Sequence, residues 1–208
     1  ASDEDFEVMM NEEGYIEEIY GIYSNITVDC WEAALYSLYN IKTALGIDNP
    51  FQELVPKESY HDNAGYSYSF QQVKQGMPVF TRGLVISCDE QGKINMLSSS
   101  YLPFEKDISI EPEISCGKAI SILEEKFEDS ISIKNNEEQL YAVNDYEVES
   151  SAWLISATIN KECEGIEAGS YMFLIDVENG TILDYISSLQ NADTYPCMGI
   201  DINGDNRN

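Results

Sequence analysis

Enzymatic chemistry needs side chains that trade protons, hold a metal or attack a carbon, and in this sequence few such groups converge. Its one histidine, His61, sits in the polar stretch Ser59-Tyr60-His61-Asp62-Asn63, where a lone loop histidine reads as a surface residue rather than a base. There is no HExxH, so the helix that offers zinc two histidines on one face is missing. A Ser-His-Asp or Cys-His relay would have to use His61, and no serine lies in a GxSxG elbow. The carboxylate pairs Glu17/Glu18, Glu124/Glu125 and Glu137/Glu138 are adjacent, and residues at i and i+1 do not share a helix face. No GxxxxGK or GxGxxG phosphate loop is visible. The expectation is a segment that is not itself an enzyme and carries no cofactor.

Two other groupings bear on metals. Cys30, Cys88, Cys116, Cys163 and Cys197 show no CxxC spacing, which argues against a zinc knuckle or a dithiol redox motif. Cys30 and Cys116 fall near helix starts and Cys88 in a strand-like run, where a thiol acts as a small apolar side chain. Near the C-terminus, Asp201, Asn203 and Asp205 take positions 1, 3 and 5 of an EF-hand-like calcium loop. Position 6 is Asn206 where that loop needs Gly, and the sequence stops before its position-12 Glu, so the match is partial.

Charge narrows the partners. The 208 residues carry 38 Asp and Glu against 11 Lys and Arg, a net charge of −27. Such a chain repels phosphate backbones and anionic lipid, which excludes nucleic acid and leaves a basic or cationic partner open. No apolar run reaches the roughly 18–20 residues of a membrane helix, so no membrane insertion is expected. The opening Ala1-Ser2-Asp3-Glu4-Asp5 has neither the basic nor the apolar part of a signal peptide, which a secreted protein would have shed.

The positioning elements follow one plan twice. From about Val28 to Leu45, Trp31, Ala34, Leu35, Leu38 and Leu45 recur with helical period, and Pro50 lies just beyond as a stop. Tyr66, Tyr68 and Phe70 then alternate with serines, Gln75-Gly76 turns the chain, and Val79 to Cys88 reads as a long strand. Asp89-Glu90-Gln91-Gly92 turns it again into Lys93 to Leu97.

In the second half, Ser115 caps a helix whose stripe is Cys116, Ala119, Ile120, Leu123 and Phe127. Strands follow at Ala152 to Ile159 and Tyr171 to Val177, and Glu178-Asn179-Gly180 turns into Thr181 to Tyr185. A strand within Gly14–Tyr23 precedes the first helix, and the acidic stretch Ile131 to Glu149 holds one around Leu140 to Val143. The expected fold class is α+β, two helix-plus-antiparallel-sheet units with helices packed on one face of each sheet.

The stretch Phe70-Gln71-Gln72-Val73-Lys74-Gln75-Gly76-Met77-Pro78-Val79-Phe80 resembles the FQQ-x-x-x-G-x-PVF core of the fungalysin/thermolysin propeptide (FTP) motif. Upstream, Leu45-Gly46-Ile47-Asp48-Asn49-Pro50 through Leu54 is similar to that family's LG-x-x-(D)-P-x-x-x-L phrase. Downstream, Ser115 to Ile120, Ala152-Trp153 and Phe173 to Leu183 resemble a PepSY domain, itself cystatin-like. FTP followed by PepSY is the pro-region layout of thermolysin-like zymogens. The resemblance implies an FTP-like subdomain over 1–105, a PepSY-like subdomain over 106–195, and an exposed junction toward a catalytic domain over 196–208.

It further implies a chaperone and inhibitor of a bacterial zinc metallopeptidase, secreted or at the cell surface, whose catalytic domain is the partner in cis or in trans. The trans form is a stand-alone inhibitor module. Gln71, Gln72, Gly76, Pro78, Val79 and Phe80 are the candidate contacts, because Gln71 and Gln72 point to opposite faces and one of them can bond outward. A plain structural hairpin is the competing reading of the same residues. Family members often carry His-x-Arg just before FQQ; Ser67 and Ser69 stand there here, which alters any contact made at those places.

Overall fold

The structure is a computed structural model that describes residues 6–134, 138–145 and 148–188. No helix among them is long and apolar enough to cross a membrane. The chain divides into two compact units, Ala1–Glu111 with Leu140–Ala152, and Pro112–Gln139 with Trp153–Asn208.

In the first unit, six antiparallel strands lie in the order β1 (Glu7–Met10), β2 (Ile16–Tyr20), β6 (Ile94–Ser99), β5 (Met77–Cys88), β4 (Gly65–Lys74) and β3 (Leu54–Asp62). A seventh, β8 (Leu140–Asn144), meets β5 in parallel at Val79 and Ala142. Period-two alternation puts Tyr68, Phe70, Leu84 and Ile86 on the core face, and a register shift opposite Ser87 and Cys88 lets Ile94 join Leu97 there. Helix α1 (Trp31–Tyr39) buries Ala34, Leu35 and Leu38 in the same core, and the Trp31 ring meets Tyr68 and Phe70 edge-on at 5.2 and 5.1 Å.

Three expectations for this unit are corrected. The first helix spans Trp31–Tyr39 rather than about Val28 to Leu45. Beyond it Ile41 donates to Leu38 O and Ala44 to Ile41 O, tight turns that keep Leu45 buried and so imitate a continuing helical stripe. Pro50 is not a stop but the first residue of α2 (Pro50–Glu53). Asn49 caps that turn, and the Glu53 carboxylate accepts the Asn49 N–H at 2.6 Å, a reciprocal cap that proline's fixed φ suits. His61 lies not in a loop but on β3, exposed and stacked on Tyr66 at 4.3 Å.

In the second unit, Ser115 Oγ accepts the Lys118 N–H (3.3 Å) and starts helix α3 (Cys116–Phe127). Cys116, Ala119, Leu123 and Phe127 are buried, and the Phe127 ring packs 5.6 Å from Phe173. A short 3₁₀ turn leads into β7 (Ile131–Ile133), which pairs antiparallel with the later part of β9 (Glu149–Ile159). β10 (Gly169–Asp176) neighbours β9 and pairs antiparallel with β11 (Ile182–Ser187). Trp153 Nε1 donates to Ile114 O at 2.7 Å, and Ile114 N–H to Val177 O at 2.9 Å, fastening the segment before α3.

Strand therefore outweighs helix more than the α+β expectation allowed. β1, β3 and β7 were not foreseen, because polar or short segments lack the alternation that marks a half-buried strand.

Candidate partner-binding hairpin

The residues singled out by type and spacing lie on the β4–β5 hairpin. Its turn, Lys74 to Met77, is a two-residue connection in which Gln75 (φ 50°) and Gly76 (φ 83°) are both left-handed. Gly76 is exposed and nothing would touch a side chain there, so its role is backbone conformation alone. Gln75 takes the same conformation without glycine's freedom, and its Oε1 accepts the Ile108 N–H at 2.9 Å. Lys74 lies 3.2 Å from the Asp107 carboxylate and over the Phe104 ring, so the 104–108 segment braces the tip.

Beyond the turn the ladder breaks. Gln71 is opposite Gly83 and Val73 opposite Pro78, so Val79, Phe80, Thr81 and Arg82 face only Gln72. This four-residue bulge turns carbonyls inward, and Gln71 meets them: its Nε2 donates to Val79 O and Arg82 O (2.7 Å each), with Gln72 O 3.1 Å away. Gln72 is 1% exposed and bonds both polar groups of Leu102, donating to its carbonyl at 2.7 Å and accepting its N–H at 3.2 Å. A side-chain amide here does the work of a strand neighbour, satisfying groups that would otherwise be buried unpaired.

The Nε2 of Gln71 and the whole amide of Gln72 thus bond within the fold. Sequence reasoning missed Leu102 as the partner of Gln72, and Ser100, whose Oγ accepts the Gly83 N–H at 3.0 Å, as a brace of the bulge's far end, because these partners are thirty and seventeen positions away and no local pattern marks them.

The remaining candidates divide by exposure. Val79 is fully buried and anchors the bulge beside Ala142. Pro78 and Phe80 are half-buried, the Phe80 ring edge-on to Tyr141 at 5.9 Å. Ser67 and Ser69 are half-buried opposite Ser87 and Val85, on the sheet face away from α1. Arg82 donates to Asn144 O from Nε (3.2 Å) and Nη2 (3.0 Å), and Asn144 Nδ2 donates to Pro103 O at 2.9 Å. An open cleft of about 590 Å³ lies beside these braces, lined by Tyr15, Leu102, Phe104, Asn144 and Glu149 among others.

The calcium candidates Asp201, Asn203 and Asp205, with the expected junction 196–208, lie outside the described residues. Among the described residues no three or more His, Cys, Asp or Glu side chains gather as metal ligands would. Cys30, Cys88, Cys116 and Cys163 are free thiols. Burial, helped by Asp89, pushes the Cys88 thiol up to about 11, and burial likewise raises Cys116.

Comparison with known proteins meets this hairpin directly. Residues 52–101 match the Fungalysin/Thermolysin Propeptide Motif. The match runs from α2 through β6 and takes in the turn, the bulge, Gln71, Gln72 and the Ser100 brace. The FTP motif is thus carried as a folded hairpin with its flanking strands. No curated protein matches the chain. Among solved structures it is similar to the Bacillus megaterium YpeB C-terminal domain, at 14% identity and a TM-score of 0.40, over 89% of this chain and 90% of that one.

Proposed function

We propose that the chain is the pro-region of a secreted thermolysin-type zinc metallopeptidase, serving the catalytic domain as intramolecular chaperone and inhibitor. The observation that carries this reading is the FTP match over residues 52–101, supported by a hairpin in which Gln71, Gln72 and Gly76 have assigned structural tasks. In this reading 1–105 is the FTP-like part, 106–195 the PepSY-like, cystatin-like part and 196–208 the junction, and the catalytic domain follows in cis. A bacterial, extracytoplasmic setting belongs to the same reading.

Refolding tests it. A thermolysin-type catalytic domain is denatured and returned to buffer with and without the purified chain, and peptide hydrolysis is followed. The expected result is a higher yield of folded peptidase with the chain present and suppressed hydrolysis while it stays bound. Equal yield and equal hydrolysis overturn the reading. A coding sequence with no HExxH downstream of Asn208 overturns the cis form and leaves the inhibitor acting in trans.

A further inference from the structure

We propose that the bulge Val79–Arg82 is a docking knuckle, a convex element whose Phe80 and Thr81 enter a neutral or acidic cleft on the peptidase catalytic domain. The inference rests on the pro-region reading and adds which residues make the contact.

Strain is the first observation. Thr81 has φ 58°, a left-handed conformation that a β-branched residue rarely adopts because Cβ crowds the following carbonyl. Its side chain returns nothing to the core: the residue is exposed, and its hydroxyl donates to the carbonyl of the adjacent Phe80 (2.7 Å). Glycine there would relieve the strain without removing a tertiary contact of that side chain.

Bracing is the second. Gln71 ties the carbonyls at both ends of the bulge, Val79 anchors it in the core, and Arg82 holds Asn144 O. Ser100 Oγ accepts the Gly83 N–H (3.0 Å) and sits 3.2 Å from the carbonyls of Thr81 and Gly83. A conformation that is costly at its tip and fastened on all sides is maintained by the fold, as bulges beside functional sites are. The same tip leaves Phe80 half-exposed.

Charge supplies the third. Between Asp62 and Asp89 there is no acidic residue, and Lys74, paired with Asp107, and Arg82 are present, in a chain whose net charge is −27. Elsewhere the dense carboxylates repel an acidic surface; the hairpin strands themselves add none. An exposed tip without carboxylates of its own, carrying a half-exposed aromatic anchor, fits a concave site rather than a flat one.

The test uses the full chain against a purified thermolysin-type zinc peptidase catalytic domain, with inhibition of peptide hydrolysis and thermal melting read in parallel. Wild type is expected to inhibit. Phe80→Ala is expected to weaken inhibition about tenfold. Thr81→Gly is expected to melt at or above the wild-type temperature yet weaken inhibition several-fold, because the tip is no longer preset. Ser59→Ala, on the exposed strand β3, is expected to inhibit as wild type. Full inhibition by both Phe80→Ala and Thr81→Gly overturns the knuckle and leaves the pro-region reading standing. A lowered melting temperature for Thr81→Gly also overturns it, since Thr81 then serves the fold. Absence of inhibition by wild type overturns the underlying reading and the knuckle with it.

Discussion

In the turn joining β5 to β6, Asp89 Oδ1 accepts the N–H groups of Gln91 (2.9 Å) and Lys93 (2.8 Å); in the turn joining β10 to β11, Asp176 Oδ1 accepts those of Glu178 (2.9 Å) and Asn179 (3.0 Å). Each turn closes on a left-handed glycine, Gly92 (φ 74°) and Gly180 (φ 77°). What lies over those glycines differs. A Cβ on Gly92 would stand 2.7 Å from the Val28 carbonyl oxygen, whose own N–H donates to Gly92 O. A Cβ on Gly180 would meet Ile122 Cδ1 at 2.4 Å and Ile114 Cδ1 at 3.1 Å. Backbone cannot step aside, whereas the end of an isoleucine can. The first hairpin is locked by polar backbone contacts and the second by side-chain packing under α3, and letter patterns alone do not separate the two.

The largest test of that contrast lies in the first unit. Gln72→Leu leaves the Leu102 N–H buried and unpaired and its carbonyl with only the long contact from Asn144 Nδ2 (3.4 Å), and a loss of about 2–4 kcal/mol in urea unfolding is expected. A loss below 1 kcal/mol would mean that the polar lock is not what holds this unit.

Next come the paired glycine variants. Gly92→Ala should cost about 2–4 kcal/mol, adding a backbone clash to the left-handed penalty, and Gly180→Ala about 1–2 kcal/mol because Ile122 can shift its rotamer. Equal losses in thermal melting would dissolve the distinction between the two hairpins.

The aspartates sharpen it further. Asp176 is buried and Asp89 half-buried, so Asp176→Ala should cost about 2 kcal/mol and Asp89→Ala about 1 kcal/mol by chemical denaturation. The reverse order would show that burial does not set the worth of these caps.

The smallest effect is one of pH. Cys88, at the start of the first turn, keeps its proton up to about 11, two units above its ordinary value near 9. The unfolded thiol loses its proton first as pH rises, so the stability this group adds is whole below pH 9 and is lost as pH climbs toward 11. Cys88→Ala should flatten that part of the stability curve, measured as the difference between variant and wild type. An unchanged slope would show that the thiol is not shielded there. At pH 8 a thiol reagent should label exposed Cys30 well before buried Cys88.

Strands with clean alternation were legible: Tyr68 and Phe70 against their serines announced β4, and the aspartate–glycine turns marked both hairpins. Ser115 announced the cap of α3, since a cap is settled within four residues. The hidden elements share a cause. β3 is exposed at every residue after Leu54, so no apolar period betrays it, and it is a strand because β4 supplies its hydrogen bonds. The helical pattern ran past Tyr39 because successive tight turns repeat nearly every three residues and bury the same side.

On the hairpin the division is sharpest. Spacing determined that Gln75-Gly76 turns the chain, within the stretch that matches the FTP motif. Only the tertiary structure decided what the glutamines do. Gln71 faces a bulge formed by four residues of the next strand, and Gln72 faces a backbone thirty positions away. An amide's partner is set by distance in space, which a linear pattern does not contain, whereas a turn or a cap is set by neighbours along the chain, which it does.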